Sequence, residues 1–463
     1  MQRLYGLWWE PGSNDKVPGV LTVHDDGGGE LELVGGFVLR EFEEPVPGIT
    51  TWPNKRRDTP VLLGDADGKR ITLVNCIPTL TRGGLGDTPT FQRFLSDQVL
   101  IGAWLEARDE PAFRDAYIRL ENLTAWSALK SLSYTVDRSK ENGSTATIRP
   151  SEEESVEVDG WKYTLSMSER GFRYMRTRQT TTVSGDVTAR VVVQPPDGTS
   201  MMEINHRVHE LSDLLTLATG KPSGLISLTL THMEADEWTE PRGSDTTIHK
   251  LPIPVEVFGR RIYDASPDEP AHPTHEFRFT LDDMPFAELM PRWLKIRRES
   301  PAACNVYFGS EYAPATYTEM RLFSMAVSAE ALHRSSFGEK GADASDSFVT
   351  EARSIIKKSF EKGPLREWVL QRTQPGATFK ERMHYLAAVP DAQAVATLIP
   401  DIPDWARKLT AARNGVAHNA GEKITPEANR LFAQTRNLIA LVMMSRLGLP
   451  AATQLRAATE TML

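Results

Sequence analysis

Ala412-Arg413-Asn414-Gly415-Val416-Ala417-His418-Asn419 places a fixed cation five residues ahead of a titratable base, with a polar side chain directly after the arginine. Apolar residues recur at helical spacing on both sides of this stretch, over 403–417 and 426–447. Thr425 is placed to cap the second helix and Pro426 to fill its first turn, while Gly448-Leu449-Pro450 ends it. On an ideal helix the five steps from Arg413 to His418 leave the two side chains about 140° apart. Either the helix loosens near Gly415, or a second copy of the chain completes the pair. The bland alternative is a histidine favoured as a cation at a helix C-terminus, with Arg413 on the surface.

Working outward, helical patterns also cover 285–299, 318–337, 346–362, 365–372 and 379–388. In the second of these, Leu322, Met325, Ala329 and Leu332 fall at core spacing. Residues 318–447 therefore read as one helical bundle, with 284–317 as a helical connector containing Pro and Gly. The longest apolar patch, Leu438 to Met444, is far short of the ~18–20 residues of a membrane-spanning helix.

Ahead of residue 284 the period is that of strands. Gly19–His24 and Glu30–Val34 flank the turn Asp25–Gly29, and Pro60–Gly64 and Arg70–Val74 flank Asp65-Ala66-Asp67-Gly68. Further extended stretches run over 98–106, 116–123, 156–158, 163–165, 189–193, 226–230 and 275–279. One helical pattern, 209–220, interrupts them. Many short strands divided by turn residues predict a sandwich or a barrel-like assembly. The polar stretch 137–155 marks a subdomain division within 1–283.

The chain has 463 residues and a formal net charge of -9. Residues 321–463 carry 19 basic and 14 acidic side chains, which leaves 34 and 48 for residues 1–320. The balances are +5 and -14, so the helical part is the better candidate for a phosphate-bearing substrate. Cys76 and Cys304 are too few for a disulfide framework or a structural zinc site. No signal-like apolar region opens the sequence, and the expected location is the cytoplasm.

Other chemistry-bearing patterns have plainer explanations. Asp65-Ala66-Asp67-Gly68 lacks the distal glutamate of a calcium loop and fits a hairpin turn. Gly83-Gly84-Leu85-Gly86 has no P-loop lysine. His206 and His209 have ligand spacing without a third ligand. Glu152-Glu153-Glu154 lies in a charged loop. Trp126, Trp161, Trp238 and Phe172 suit a core as well as a ligand face. No metal or cofactor is expected.

Arg413-Asn414-Gly415-Val416-Ala417-His418 resembles the HEPN motif, an arginine, four to six residues of which the first is polar, and a histidine. Phe323–His333 resembles the early HEPN helix that carries an acidic residue, here Glu330. Leu120-Glu121-Asn122-Leu123-Thr124-Ala125-Trp126 is similar to the N-terminal region of ApeA-like antiphage proteins. Those proteins join a β-rich region to a C-terminal HEPN domain, so the resemblance spans nearly the whole chain.

The resemblance implies an α+β multidomain chain, a β-rich N-terminal sensor region (1–283) followed by an all-α HEPN bundle (318–463). It implies a metal-independent endoribonuclease that acts in abortive infection, with RNA, including tRNA, as substrate and a phage-derived trigger. His418 would act as general acid and base, Arg413 would stabilise the phosphate, Asn414 would orient substrate or histidine, and Glu330 would hold Arg413 or His418. A homodimer or higher oligomer through the HEPN domain is expected, and no membrane. Two rivals remain open: a non-catalytic HEPN module that binds nucleotide or a partner, and a β-domain ligand-binding protein with a helical dimerisation domain.

Overall fold

The computed structural model describes the chain apart from residues 25–26, 39–42, 47–48, 52–58, 84–88, 129–131, 137–143, 150–151, 243–244, 260–262, 264–271, 314–316, 339–342, 373–376, 419–425 and 461–463. It divides into two units. The first is Met1–Thr124, Leu129–Ser212 and Ser223–Pro270, and the second is Ala125–Ala128, Asp213–Pro222 and Ala271–Leu463.

The first unit begins with β1 (Gln2–Trp9), β2 (Val17–Val23), β3 (Gly29–Val34), a small hairpin of β4 (Glu43–Val46) and β5 (Ile49–Thr51), β6 (Thr59–Ala66), β7 (Lys69–Gly83) and β8 (Pro89–Ile101). The order β8-β3-β2-β1-β6-β7 closes through a further pairing of β7 with β8. All six pairings are antiparallel, and closure removes the exposed edges that an open sheet would carry. Alternation along each strand sends Leu4, Trp8, Leu21, Leu31, Leu73 and Phe94 into one buried cluster. A Cβ on Gly64 would overlap the Trp8 ring, so glycine lets the indole lie against the strand. The β6–β7 turn uses Asp67 at φ 50° and Gly68 at φ 72°, the positive pair of a two-residue hairpin. The expected turn at Asp65–Gly68 is narrower than its sequence suggests, since Asp65 and Ala66 end β6 and only Asp67-Gly68 turns, and the barrel form replaces the sandwich alternative.

The same sheet continues beyond the barrel. It adds β9 (Phe113–Leu120), β12 (Glu154–Val158), β13 (Trp161–Arg176), β14 (Thr181–Gln194), β15 (Leu225–Arg242) and β16 (Asp245–Gly259), in the order β12-β13-β14-β9-β15-β16-β8. Between these lie α1 (Leu123–Trp126), the separate hairpin of β10 (Leu132–Val136) and β11 (Ser144–Ile148), and α2 (Met201–Thr219). In α2, Met201, Ile204, Val208 and Leu211 are buried at helical spacing. The division between the units falls after Ser212, inside this helix.

The second unit contains α3 (Phe286–Glu299), α4 (Pro301–Tyr312), α5 (Thr318–Phe337), α6 (Asp343–Ser359), α7 (Pro364–Arg372), α8 (Phe379–Ala387), α9 (Ala392–Leu398), α10 (Ile402–His418), α11 (Pro426–Leu447) and α12 (Ala451–Glu460). Helix α5 packs against α4, α8, α10 and α11. Every residue from Leu438 to Met444 in α11 is buried, so that apolar run is the axis of a bundle. Gly448, at φ 81°, ends α11; Leu449 N–H donates to Met444 O at 3.1 Å and closes its last turn. The cap expected at Thr425 lies outside the described residues.

Two expectations change. Residues 275–279 are not a strand: Thr274–Glu276 is a 3-10 turn, and Phe277, Arg278 and Phe279 are all buried. Arg278 donates to Leu217 O (3.1 Å) and Asn437 Oδ1 (3.1 Å), so its inward direction is held by hydrogen bonds rather than by pleating. Residues 284–317 are part of the helical unit itself: Phe286, Trp293 and Tyr307 are fully buried, and Ser328 Oγ of α5 donates to Ala303 O of α4 at 2.8 Å.

Candidate active site

The buried face of α5 carries Leu322, Met325, Ala329 and Leu332, which leaves Glu330 at the rim of the bundle with its side chain 16% exposed. Three guanidiniums converge on it. Arg413 of α10 donates from Nη2 to Glu330 Oε2 at 2.7 Å. Arg334, one turn along α5, donates to Oε1 at 3.1 Å. Arg382 of α8 brings Nη1 to 3.5 Å from the same Oε1.

Helix α8 is fixed at its start by a capping box. Thr378 Oγ1 accepts from Glu381 N at 3.3 Å, and Glu381 Oε2 accepts from Thr378 N at 2.7 Å. This start aims two residues at the site. Arg382 is anchored by an Nε bond to Ala377 O at 2.9 Å, and Phe379 places its ring 4.6 Å from Arg413 Cζ. Arg413 is 31% exposed and forms no other hydrogen bond among the described residues. Much of its five-donor fork therefore remains for a ligand.

Helix α10 runs without interruption through Gly415 to His418. The loosening at Gly415 is therefore not seen, and the backbone positions of Arg413 and His418 stay about 140° apart. Asn414 is exposed on the position next to Arg413. The His418 side chain and the segment after it lie outside the described residues. The structure thus brings Arg413 and Glu330 together and leaves Asn414 exposed at the next position of α10. Arg334, Arg382 and Phe379 were not among the sequence candidates. The i,i+4 spacing from Glu330 could have found Arg334; Arg382 and Phe379 reach the site only through tertiary packing.

The family model of ApeA N-terminal domain 1 matches residues 3–293, and that of the Apea-like HEPN domain matches residues 323–453. The chain belongs to the ApeA family. It is a HEPN-domain antiphage defence protein, and the HEPN match contains Glu330, Arg382, Arg413, Asn414 and His418. No curated protein and no solved structure gives a match.

Elsewhere in this ApeA-family chain the sequence candidates take structural places. His206 Nε2 lies 3.3 Å from Glu210 Oε1 on α2. Trp126 is buried and Phe172 is exposed on β13. Residues 84–86 of the glycine-rich stretch and the Trp238 side chain lie outside the described residues. Among the described residues no group of three His, Cys, Asp or Glu is placed to hold a metal, and no helix is long and apolar enough to cross a membrane.

Proposed function

We propose that this ApeA-family chain is a metal-independent endoribonuclease that acts by abortive infection, with its N-terminal region sensing the phage-derived trigger. The observation that carries the reading is Arg413 held on Glu330 with spare donors, on the continuous helix that also bears His418. Cleavage needs no external nucleophile. The RNA 2′-hydroxyl attacks the adjacent phosphorus, the 5′-oxygen leaves, and the products are a 2′,3′-cyclic phosphate and a 5′-hydroxyl. A histidine near its ordinary pKa can take the first proton or supply the second. His418 is assigned that work. The phosphorane carries extra negative charge, which the planar fork of Arg413 suits. Glu330 is a positioning residue, and Asn414 orients substrate.

The 140° between Arg413 and His418 is answered by pairing two chains, so that the arginine of one protomer and the histidine of its partner line one cleft. HEPN domains commonly pair so that two such motifs line one cleft. RNA, tRNA included, is the substrate.

A second reading, a non-catalytic HEPN module, is favoured by the ion pair that already engages Arg413. One experiment separates them. Protein purified from phage-challenged cells is incubated with RNA in EDTA. Cleavage by the wild type, lost in Arg413→Ala with an unchanged melting curve, supports the nuclease. Binding of RNA without turnover supports the second reading.

A further inference from the structure

The barrel-bearing unit holds a cavity of about 860 Å³ on four adjacent strands, in the order β13-β14-β9-β15. Alternation places Tyr117 and Arg119 of β9, Thr188 and Arg190 of β14, and Ser227 and Thr229 of β15 along its lining. The register sets Tyr117 opposite Thr229 and Arg119 opposite Ser227. The intervening residues, such as Ile118, Val191 and Leu228, are buried on the other face.

A polar face is ordinary for an antiparallel sheet in water. The cations are not ordinary. Arg119 Nε is buried with no hydrogen-bond partner, and Arg119 makes no ion pair among the described residues. Arg190 donates from Nε to Ser166 Oγ at 3.1 Å and lies 5.1 Å from the Tyr117 ring centre, again with no carboxylate among the described residues. Some arginines of this unit have acids, Arg93 with Glu30 and Glu32, Arg114 with Asp115 and Arg207 with Glu210, whereas the Arg3, Arg70 and Arg82 side chains have only ring contacts among the described residues. What sets Arg119 and Arg190 apart is that both line one cavity and that Arg119 Nε is buried there without an acceptor. Asp186 also lines the cavity and pairs with neither arginine among the described residues.

A buried guanidinium N–H with no acceptor costs stability unless a ligand supplies one. The hydroxyls of Thr188, Ser227 and Thr229 form no side-chain hydrogen bonds among the described residues, and they add donors around the two forks. One carboxylate saturates a single fork, whereas a phosphoryl group offers oxygens for two forks and several hydroxyls. The volume lies within the roughly 300–1,000 Å³ of small-molecule sites. We propose that this cavity binds a phosphorylated small molecule of nucleotide size, with Arg119 and Arg190 on its phosphoryl oxygens. The proposal stands on the first unit alone and does not depend on RNA cleavage.

The test is calorimetric titration of the full chain with ATP and pyrophosphate, and with citrate and a short single-stranded RNA as competing chemistries. The expected result is one ATP or pyrophosphate bound per chain, with affinity at least about tenfold weaker in both Arg119→Gln and Arg190→Gln. Arg119→Lys should recover part of the loss, and Arg3→Gln should change nothing. Thermal melting checks folding; if Arg119→Gln does not fold, Arg190→Gln and Ser227→Val carry the test. No binding of either phosphorylated probe at about 1 mM overturns the proposal. Equal binding by the folded variants, or tighter arginine-dependent binding of citrate or RNA, also overturns it.

Discussion

Arg413, Arg382 and Arg334 converge on the single carboxylate of Glu330, whereas Arg119 and Arg190 face a cavity in which neither meets an acid among the described residues. The same side chain does different work in the two places. Around Glu330 the carboxylate fixes the guanidiniums in the absence of any ligand, which suits a group that must be in place when charge develops. On the sheet face the cations are held by a hydroxyl, a ring and the strand alone. They keep their charge for something that arrives. On the two proposals, the paired arginine would stabilise a reacting phosphate and the acid-free arginines would receive a ligand.

The contrast breaks first at Arg413. Arg413→Ala should lower RNA cleavage by roughly 10²–10³-fold, read as initial rate, while the melting curve stays close to wild type. A variant that keeps its rate removes the distinction. Glu330→Gln comes next. It removes the charge that Arg413, Arg334 and Arg382 share, and should cost about 2 kcal/mol in denaturant unfolding of the helical unit. Cleavage should fall with it, because Arg413 loses its anchor. Phe379→Leu removes the ring beside Arg413 and should cost about 0.5–1 kcal/mol of stability with a small loss of rate. The smallest effect is expected in the other region. Arg119→Gln breaks no ion pair among the described residues, so stability without ligand should stay within about 0.5 kcal/mol of wild type. A large loss there would mean that Arg119 is structural.

The sequence already carried much of the helical part. The apolar spacing in 318–337 and 426–447 coincides with α5 and α11, because both helices bury one continuous stripe or their whole circumference. The strand-rich character of 1–259 was also legible from alternation, but closure into a barrel was not. It depends on β8 pairing with β3 as well as with its neighbour β7, and the β3–β8 contact joins strands far apart in the chain that no local pattern announces. Helix α4 was hidden by Pro301 and Gly309, which read as loop punctuation; Pro301 occupies the first turn, where its missing N–H does no harm. At 277–279 the Phe-Arg-Phe alternation imitated a strand, yet Arg278 is as buried as its neighbours. In the site, the Arg413 motif and the acidic residue of α5 were visible in the chain. Arg382 was not, since its approach to Glu330 depends on how α8 packs against α5.

His418 bears the whole chemical proposal, and RNA-end mapping in phage-challenged cells tests it directly. Cells expressing the wild-type chain should accumulate RNA fragments with 2′,3′-cyclic phosphate and 5′-hydroxyl ends, and cells expressing His418→Ala at equal level should show none. The same fragments in both would contradict it.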